Sequence, residues 1–173
     1  SEKGLPLDII RTVNSTNPDS NAWALLERSD ISPAEFDVLF ATESEALGHR
    51  IPGADVLALL SGDVRPNMVA ALDHVIASGF LTACLTNNVV VTTPDPTPRQ
   101  AEVAAIMKKF NHVVESSKVG CRKPEPRFYE IACELLNVTP TECVFLDDLG
   151  INLKPAAAMG MRTIKVGKPD IAL

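Results

Sequence analysis

What this chain lacks narrows its chemistry before any motif is read. None of its four cysteines, Cys84, Cys121, Cys133 and Cys143, forms a Cys-x-x-Cys pair, so buried, reduced thiols of a cytoplasmic protein account for them better than a metal cluster or a disulfide framework. His49, His74 and His112 are scattered without metal-ligand spacing. No Lys/Arg cluster exceeds two or three residues and the net charge is −6, which argues against nucleic acid and against anionic membranes as partners. No apolar run approaches the roughly 20 residues needed to cross a bilayer, and the opening Ser-Glu-Lys-Gly lacks the marks of a secretory signal. These absences lead us to expect a cytoplasmic protein.

What is present is enough for a real core. Hydrophobic residues make up 46% of the 173 and charged residues only 22%, a balance that excludes intrinsic disorder. The pattern changes near residue 65. Before it everything reads as helix: Ser32-Pro33-Ala34-Glu35 is a capping box with proline at the first helical position, followed by Phe36, Leu39, Phe40 and Leu47 at helical spacing. Segments 7–13, 22–27 and 54–60 also read as helical, separated by Gly, Pro, Asn and Ser. The expectation is a strand-free helical unit over residues 1–62.

From residue 63 to 173, helix and short apolar strand alternate. Met68, Leu72, Val75 and Ile76 mark a helix that Gly79 ends. Strands are expected near 80–85, 112–115, 143–146 and 162–166. Between them, Thr97-Pro98-Arg99-Gln100 caps one helix, Pro124 opens a second carrying Phe128, Ile131, Ala132 and Leu135, and 153–159 forms a third. Thr139-Pro140-Thr141-Glu142 reads as a further box or as a turn. This alternation predicts an α/β fold, a parallel Rossmann-like sheet flanked by helices.

Parallel sheets bind ligands beyond the carboxyl ends of their strands, and polar residues collect at those positions. Thr86, Asn87 and Asn88 follow the first strand, where a hydroxyl and amides can donate to an oxyanion or simply open a polar loop. Lys123 precedes Pro124, beside an expected helix start where an anion is favoured. Asp147-Asp148 ends a hydrophobic strand, with Asn152 just beyond. One Asp suffices for a helix cap, whereas two adjacent carboxylates suit a hard divalent cation. Together these residues describe an anion pocket with an ammonium on one side and a metal on the other, as phosphoryl transfer requires.

Leu85-Thr86-Asn87-Asn88, Lys123-Pro124-Glu125-Pro126 and the run from Phe145 to Lys154 resemble motifs II, III and IV of the haloacid dehalogenase superfamily. The similarity is greatest to the phosphatase-like domains fused to epoxide hydrolase or acyl-CoA dehydrogenase. The resemblance implies that Thr86 and Asn87 hold a substrate phosphate and that Lys123 neutralises it. It implies that Asp148 and Asn152 ligate Mg²⁺, with Asp147 in support, and that residues 1–62 form the small helical cap of an α/β core. The implied activity is Mg²⁺-dependent hydrolysis of a small phosphorylated metabolite; a homodimer is compatible with it.

The same resemblance calls for an Asp-x-Asp pair after the first core strand, whose leading carboxylate forms an aspartyl-phosphate. No such pair occurs in the sequence. The expectation is therefore a core lacking its first strand, and a chain that is inactive alone. Two other readings stay open. A 2-haloacid dehalogenase shares the fold, although those enzymes resemble a Ser-Ser-Asn pattern where this chain has Asp147-Asp148. A non-catalytic binding or oligomerisation module is favoured by the missing pair.

Overall fold

Pro33 and Ser32 decide where the longest helix begins. The Ser32 hydroxyl accepts from the Glu35 backbone N–H while the Glu35 carboxylate accepts from the Ser32 N–H, a closed capping box with proline at the first turn. In the computed structural model, which describes residues 6, 8–59, 64–89 and 97–167, the chain divides into two compact units, Ser1–Gly62 and Asp63–Leu173. The described residues of the first unit form four helices, α1 (Ile9–Ser15), α2 (Ala22–Glu27), α3 (Pro33–Ala46) and α4 (Gly53–Leu57), and no strand. Residues 7 and 60, the ends of two expected helices, lie outside the described residues.

An aromatic stack holds this unit. Phe36 and Phe40 are fully buried, with centroids 5.3 Å apart, and Trp23 meets Phe36 edge-on at 5.7 Å. Gly53 lets α4 approach α3, because a Cβ there would fall 2.8 Å from Phe36 and from the Asp37 backbone. Two buried polar side chains, Ser44 and Asn21, are satisfied locally. The Ser44 hydroxyl donates to the Ala41 carbonyl at 3.0 Å and accepts from the Ile51 N–H at 2.9 Å, and Asn21 caps α2 through the Ala24 N–H.

The second unit alternates helix and strand: α5 (Pro66–Ala77), β1 (Ala83–Thr86), α6 (Pro98–Met107), β2 (His112–Glu115), α7 (Ser116–Val119), α8 (Pro126–Leu136), β3 (Val144–Asp147), α9 (Gly150–Ala158) and β4 (Arg162–Lys165). Thr139 and Glu142 close their box around a 3-10 turn, Pro140–Glu142, just before β3. The strands pair in parallel, β1 with β2 from Ala83↔His112 to Thr86↔Glu115, and β3 with β4 from Val144↔Arg162 to Asp147↔Lys165. The α8 residues Phe128, Tyr129, Ala132 and Cys133 bury themselves against Leu85 and Val114 from one pair and Phe145 and Met161 beside the other. One helix thus covers both pairs on one face.

Three boundaries need correction. The strand expected over 80–85 begins only at Ala83, because the Phe80 N–H still closes α5 onto the Val75 carbonyl and Asn111 holds the Thr82 N–H. The helix expected to open at Pro124 starts at Pro126, since Arg122 to Glu125 form a turn whose Glu125 N–H bonds the Arg122 carbonyl at 2.7 Å. The last helix starts at Gly150, three residues before its expected beginning. The α/β class stands: helices flank strands that are parallel throughout, and these fall into two pairs, with no strand among the described residues joining β1 to β3.

Candidate functional site

Lys123 is the hinge of the polar network at the strands' carboxyl ends. Its backbone is gripped by Asn87, just past β1: the Lys123 N–H donates to Asn87 Oδ1 at 2.9 Å, and Asn87 Nδ2 donates to the Lys123 carbonyl at 3.0 Å. Its ammonium reaches Asp147 Oδ2, the last residue of β3, at 2.8 Å, with side-chain exposures of only 14% and 4%. The same Nζ lies 5.9 Å from the Phe145 ring centroid, within cation–π range. Three elements far apart in sequence thus meet at one lysine.

Asp147 is saturated by donors. Its Oδ1 accepts from the Leu149 N–H at 2.8 Å and from Asn152 Nδ2 at 3.0 Å, while Oδ2 takes the Lys123 ammonium. A buried carboxylate satisfied this way fixes its partners' positions. Asp148, one residue on, is exposed. The paired acids are therefore unequal, one committed inward and the other open to solvent.

Behind this pair, the fully buried Tyr129 donates its hydroxyl to the Asn152 carbonyl at 2.7 Å and meets the Phe145 ring edge-on at 5.3 Å. Burial, reinforced by the negative charge of Asp147, pushes the Tyr129 phenol well above the ordinary tyrosine range. Asn88 anchors the other side. Its N–H donates to the Ser116 hydroxyl at 3.0 Å, and its Oδ1 accepts from the Ser117 hydroxyl at 3.0 Å. The fully buried Ser116 thereby ties the loop after β1 to α7.

Sequence reasoning singled out Asn87, Lys123, Asp147 and Asn152, and the structure joins these four in one network. Thr86 ends β1, beside Asn87. Sequence reasoning missed Tyr129 and Ser116. Tyr129 was findable as the chain's single tyrosine on the apolar face of α8, since a buried phenol needs a partner; no pattern marks Ser116.

The donor set suits a hard cation only when other oxygens join it. Among the described residues no group of three or more His, Cys, Asp or Glu side chains converges as a metal cage. Mg²⁺ is commonly held by one or two carboxylates, water and substrate phosphate oxygens, and Asp148 supplies an uncommitted carboxylate next to the fixed Lys123–Asp147 pair. No helix among the described residues is long and apolar enough to cross a membrane.

The second unit is thus a parallel α/β fold with a buried lysine–aspartate pair at the carboxyl end of β3, and comparison with known proteins gives its family. The family model for haloacid dehalogenase-like hydrolases matches residues 34–160. The chain belongs to the haloacid dehalogenase-like hydrolase family. It is 34% identical over 160 residues to acyl-CoA dehydrogenase family member 10 of Mus musculus, covering 90% of this chain and 14% of that protein. A phosphatase of Mycobacterium tuberculosis is 31% identical over 66% of this chain and 50% of its own length. An (S)-2-haloacid dehalogenase of Pseudomonas is 25% identical over 60% of this chain and 44% of its own. The chain thus spans half or less of the length of these relatives. Among solved structures, a family enzyme of Bacteroides thetaiotaomicron in complex with magnesium and inorganic phosphate superposes with TM-score 0.60 at 18% identity, over 91% of this chain and 82% of its own.

Proposed function

We propose that this chain is the larger part of a Mg²⁺-dependent phosphatase acting on a small phosphomonoester, and that alone it is catalytically silent or nearly so. The observation that carries the reading is the buried Lys123–Asp147 pair at 2.8 Å with Asp148 exposed beside it. In this reading the Lys123 ammonium, its backbone held by Asn87, faces the phosphate and offsets its charge. The Thr86 hydroxyl donates to a phosphate oxygen. Asp147 keeps both Lys123 and Asn152 in place. Asn87 acts through Lys123, because its amide is engaged with the lysine backbone. Asp148, with the Asn152 side-chain oxygen, would hold Mg²⁺, which supplies charge neutralisation on the transferring group.

The carboxylate that attacks phosphorus comes from polypeptide outside residues 1–173, because the sequence holds no Asp-x-Asp pair. Residues 1–62 serve as the helical cap that selects the substrate, and the protein works in the cytoplasm. The phosphatase reading is supported by the mycobacterial relative and by the paired acids. The dehalogenase reading is supported by the Pseudomonas relative. A non-catalytic module predicts neither activity.

The test is an assay of the 173-residue chain with Mg²⁺ and an aryl phosphate, beside a longer protein that carries the coding sequence upstream of Ser1. We expect turnover only in the longer protein, and only with Mg²⁺. Release of halide from 2-chloropropionate without metal would replace the phosphatase with the dehalogenase. Phosphate release by the 173-residue chain that vanishes in Lys123→Ala would place the nucleophile within these residues.

A further inference from the structure

The spacing of the four cysteines marks no pair, yet the fold brings two of them together. Cys133 lies in the second half of α8, and Cys143 directly precedes β3. Between them the chain reverses through local bonds. Asn137, left-handed at φ 53°, ends the helix, and the Val138 N–H returns to the Cys133 carbonyl at 3.1 Å. The Pro140–Glu142 turn then delivers Cys143, whose N–H bonds the Pro140 carbonyl at 3.1 Å. The Cys143 carbonyl accepts from the Arg162 N–H at 3.0 Å. Both cysteine backbones are thus fixed by hydrogen bonds of their own.

Their side chains pack in the same core cluster, and the Cys133 thiol is in hydrogen-bonding contact with Cys143. The Cys143 thiol also donates to the Thr139 carbonyl at 3.4 Å. The two differ in access, since Cys133 is buried and Cys143 is half-buried. Burial, and then the neighbouring Cys143, push the Cys133 thiol up, so it stays protonated at neutral pH. Cys84 and Cys121 sit differently. The groups that act on Cys84 are Lys123 and Glu115, and those that act on Cys121 are Glu125, Arg127 and Glu130, with no cysteine among them.

From this contact we infer that Cys133 and Cys143 form a dithiol modification site, which a low-molecular-weight disulfide converts into an intramolecular Cys133–Cys143 disulfide. Cys143, the more accessible of the two, reacts first. It gives its proton to solvent, and its sulfur attacks one sulfur of the oxidant, whose S–S bond breaks and releases one thiol. The Cys133 sulfur then loses its proton and attacks Cys143 Sγ, releasing the second thiol. Two protein thiols are oxidised and one small disulfide is reduced to two thiols. α8 follows Lys123 and β3 ends at Asp147. The new bond therefore fastens the helix to the root of the strand without engaging either charged group. The inference stands on the thiol contact and does not depend on the phosphatase reading.

The experiment treats the native 173-residue chain with oxidised glutathione, alkylates every remaining thiol and reads tryptic peptides by mass spectrometry. Trypsin cuts after Arg127 and Arg162 and spares Lys154-Pro155, so one peptide, Phe128–Arg162, carries both cysteines while Cys84 and Cys121 fall in others. We expect that peptide to be unalkylated, free of glutathione and lighter than its reduced form by two hydrogens. This should occur at an oxidised glutathione level at least about tenfold below the level that modifies Cys84 or Cys121, because the second thiol is already in place. Dithiothreitol should restore both thiols, and in Cys133→Ser the reaction should stop with glutathione on Cys143. Three results with the unaltered chain would each overturn the site. These are glutathione that persists on Cys143, alkylation of both cysteines at levels that modify Cys84 or Cys121, and a disulfide from either cysteine to Cys84 or Cys121.

Discussion

The two units solve the burial problem differently. The first packs a seam of helix side chains in which Phe36, Phe40 and Val13 are nearly inaccessible, with Asn21 and Ser44 bonded a few residues away and the Ala22 N–H held by Glu43. The second buries one face under α8 and leaves Val144, Leu146 and Phe80 open. Its polar network draws instead on partners 24 and 36 residues apart, as in Lys123–Asp147 and Asn87–Lys123. Helices satisfy their own backbones, so a helical unit needs only a filled apolar seam. A sheet satisfies its backbone only through neighbours, and its strand ends are where side chains from distant segments converge.

The single tryptophan, Trp23, reports on the first unit and the single tyrosine, Tyr129, on the second, so the contrast can be tested with separate signals. Phe36→Ala should have the largest effect on stability, about 3–5 kcal/mol, because truncating a buried phenylalanine leaves a cavity. Trp23 fluorescence during denaturation reads it. Coincident movement of the Tyr129 signal would mean that the units unfold as one and that the contrast is only architectural.

Next come the charges of the second unit. In a catalytically competent longer protein, Lys123→Ala and Asp148→Asn should each lower turnover by about 10²–10³, the usual effect of losing a preorganised charge aimed at the transition state. Far-ultraviolet circular dichroism should show the fold intact. Near-normal turnover in Asp148→Asn, with Mg²⁺ still required, would move the metal elsewhere.

Tyr129 gives a smaller effect with a defined pH dependence. Tyr129→Phe removes the bond to the Asn152 carbonyl and should cost roughly 1 kcal/mol. The folded phenol is raised above its unfolded value, so its contribution to stability is complete below about pH 10. That contribution is lost as pH rises from there through the folded pKa. Phenolate absorbance of native protein should therefore be missing at pH 10 and appear on unfolding; ordinary titration in the native state would contradict the buried network. The smallest effect belongs to Arg127, whose pairs with Glu130 and Glu134 are exposed on α8. Arg127→Ala should leave Tm unchanged, since such pairs are screened by solvent.

Local chemistry was legible along the whole chain. Ser32/Glu35, Thr97/Gln100 and Thr139/Glu142 all closed as capping boxes, because a cap is made by residues three apart and needs nothing from the rest of the molecule. The apolar spacing of Phe128 and Ala132 marked the buried face of α8, and the alternation after residue 63 gave the α/β class. Asp147-Asp148 at the end of β3 pointed to a site because carboxyl ends of parallel strands are where ligands bind, and Lys123, in the turn between α7 and α8, was picked out by its place before a helix start.

Tertiary structure decided the rest. Only three-dimensional proximity sends Asp147 inward to Lys123, Leu149 and Asn152 and leaves Asp148 exposed, since the two residues are chemically identical in sequence. Only packing shows that Asn87 spends its amide on the Lys123 backbone and that Tyr129 backs the pair from α8. Strand pairing is non-local too, so whether four apolar runs make one sheet or two pairs is not written in any of them. It depends on which edges find a neighbour, and β1 and β3 do not find each other among the described residues.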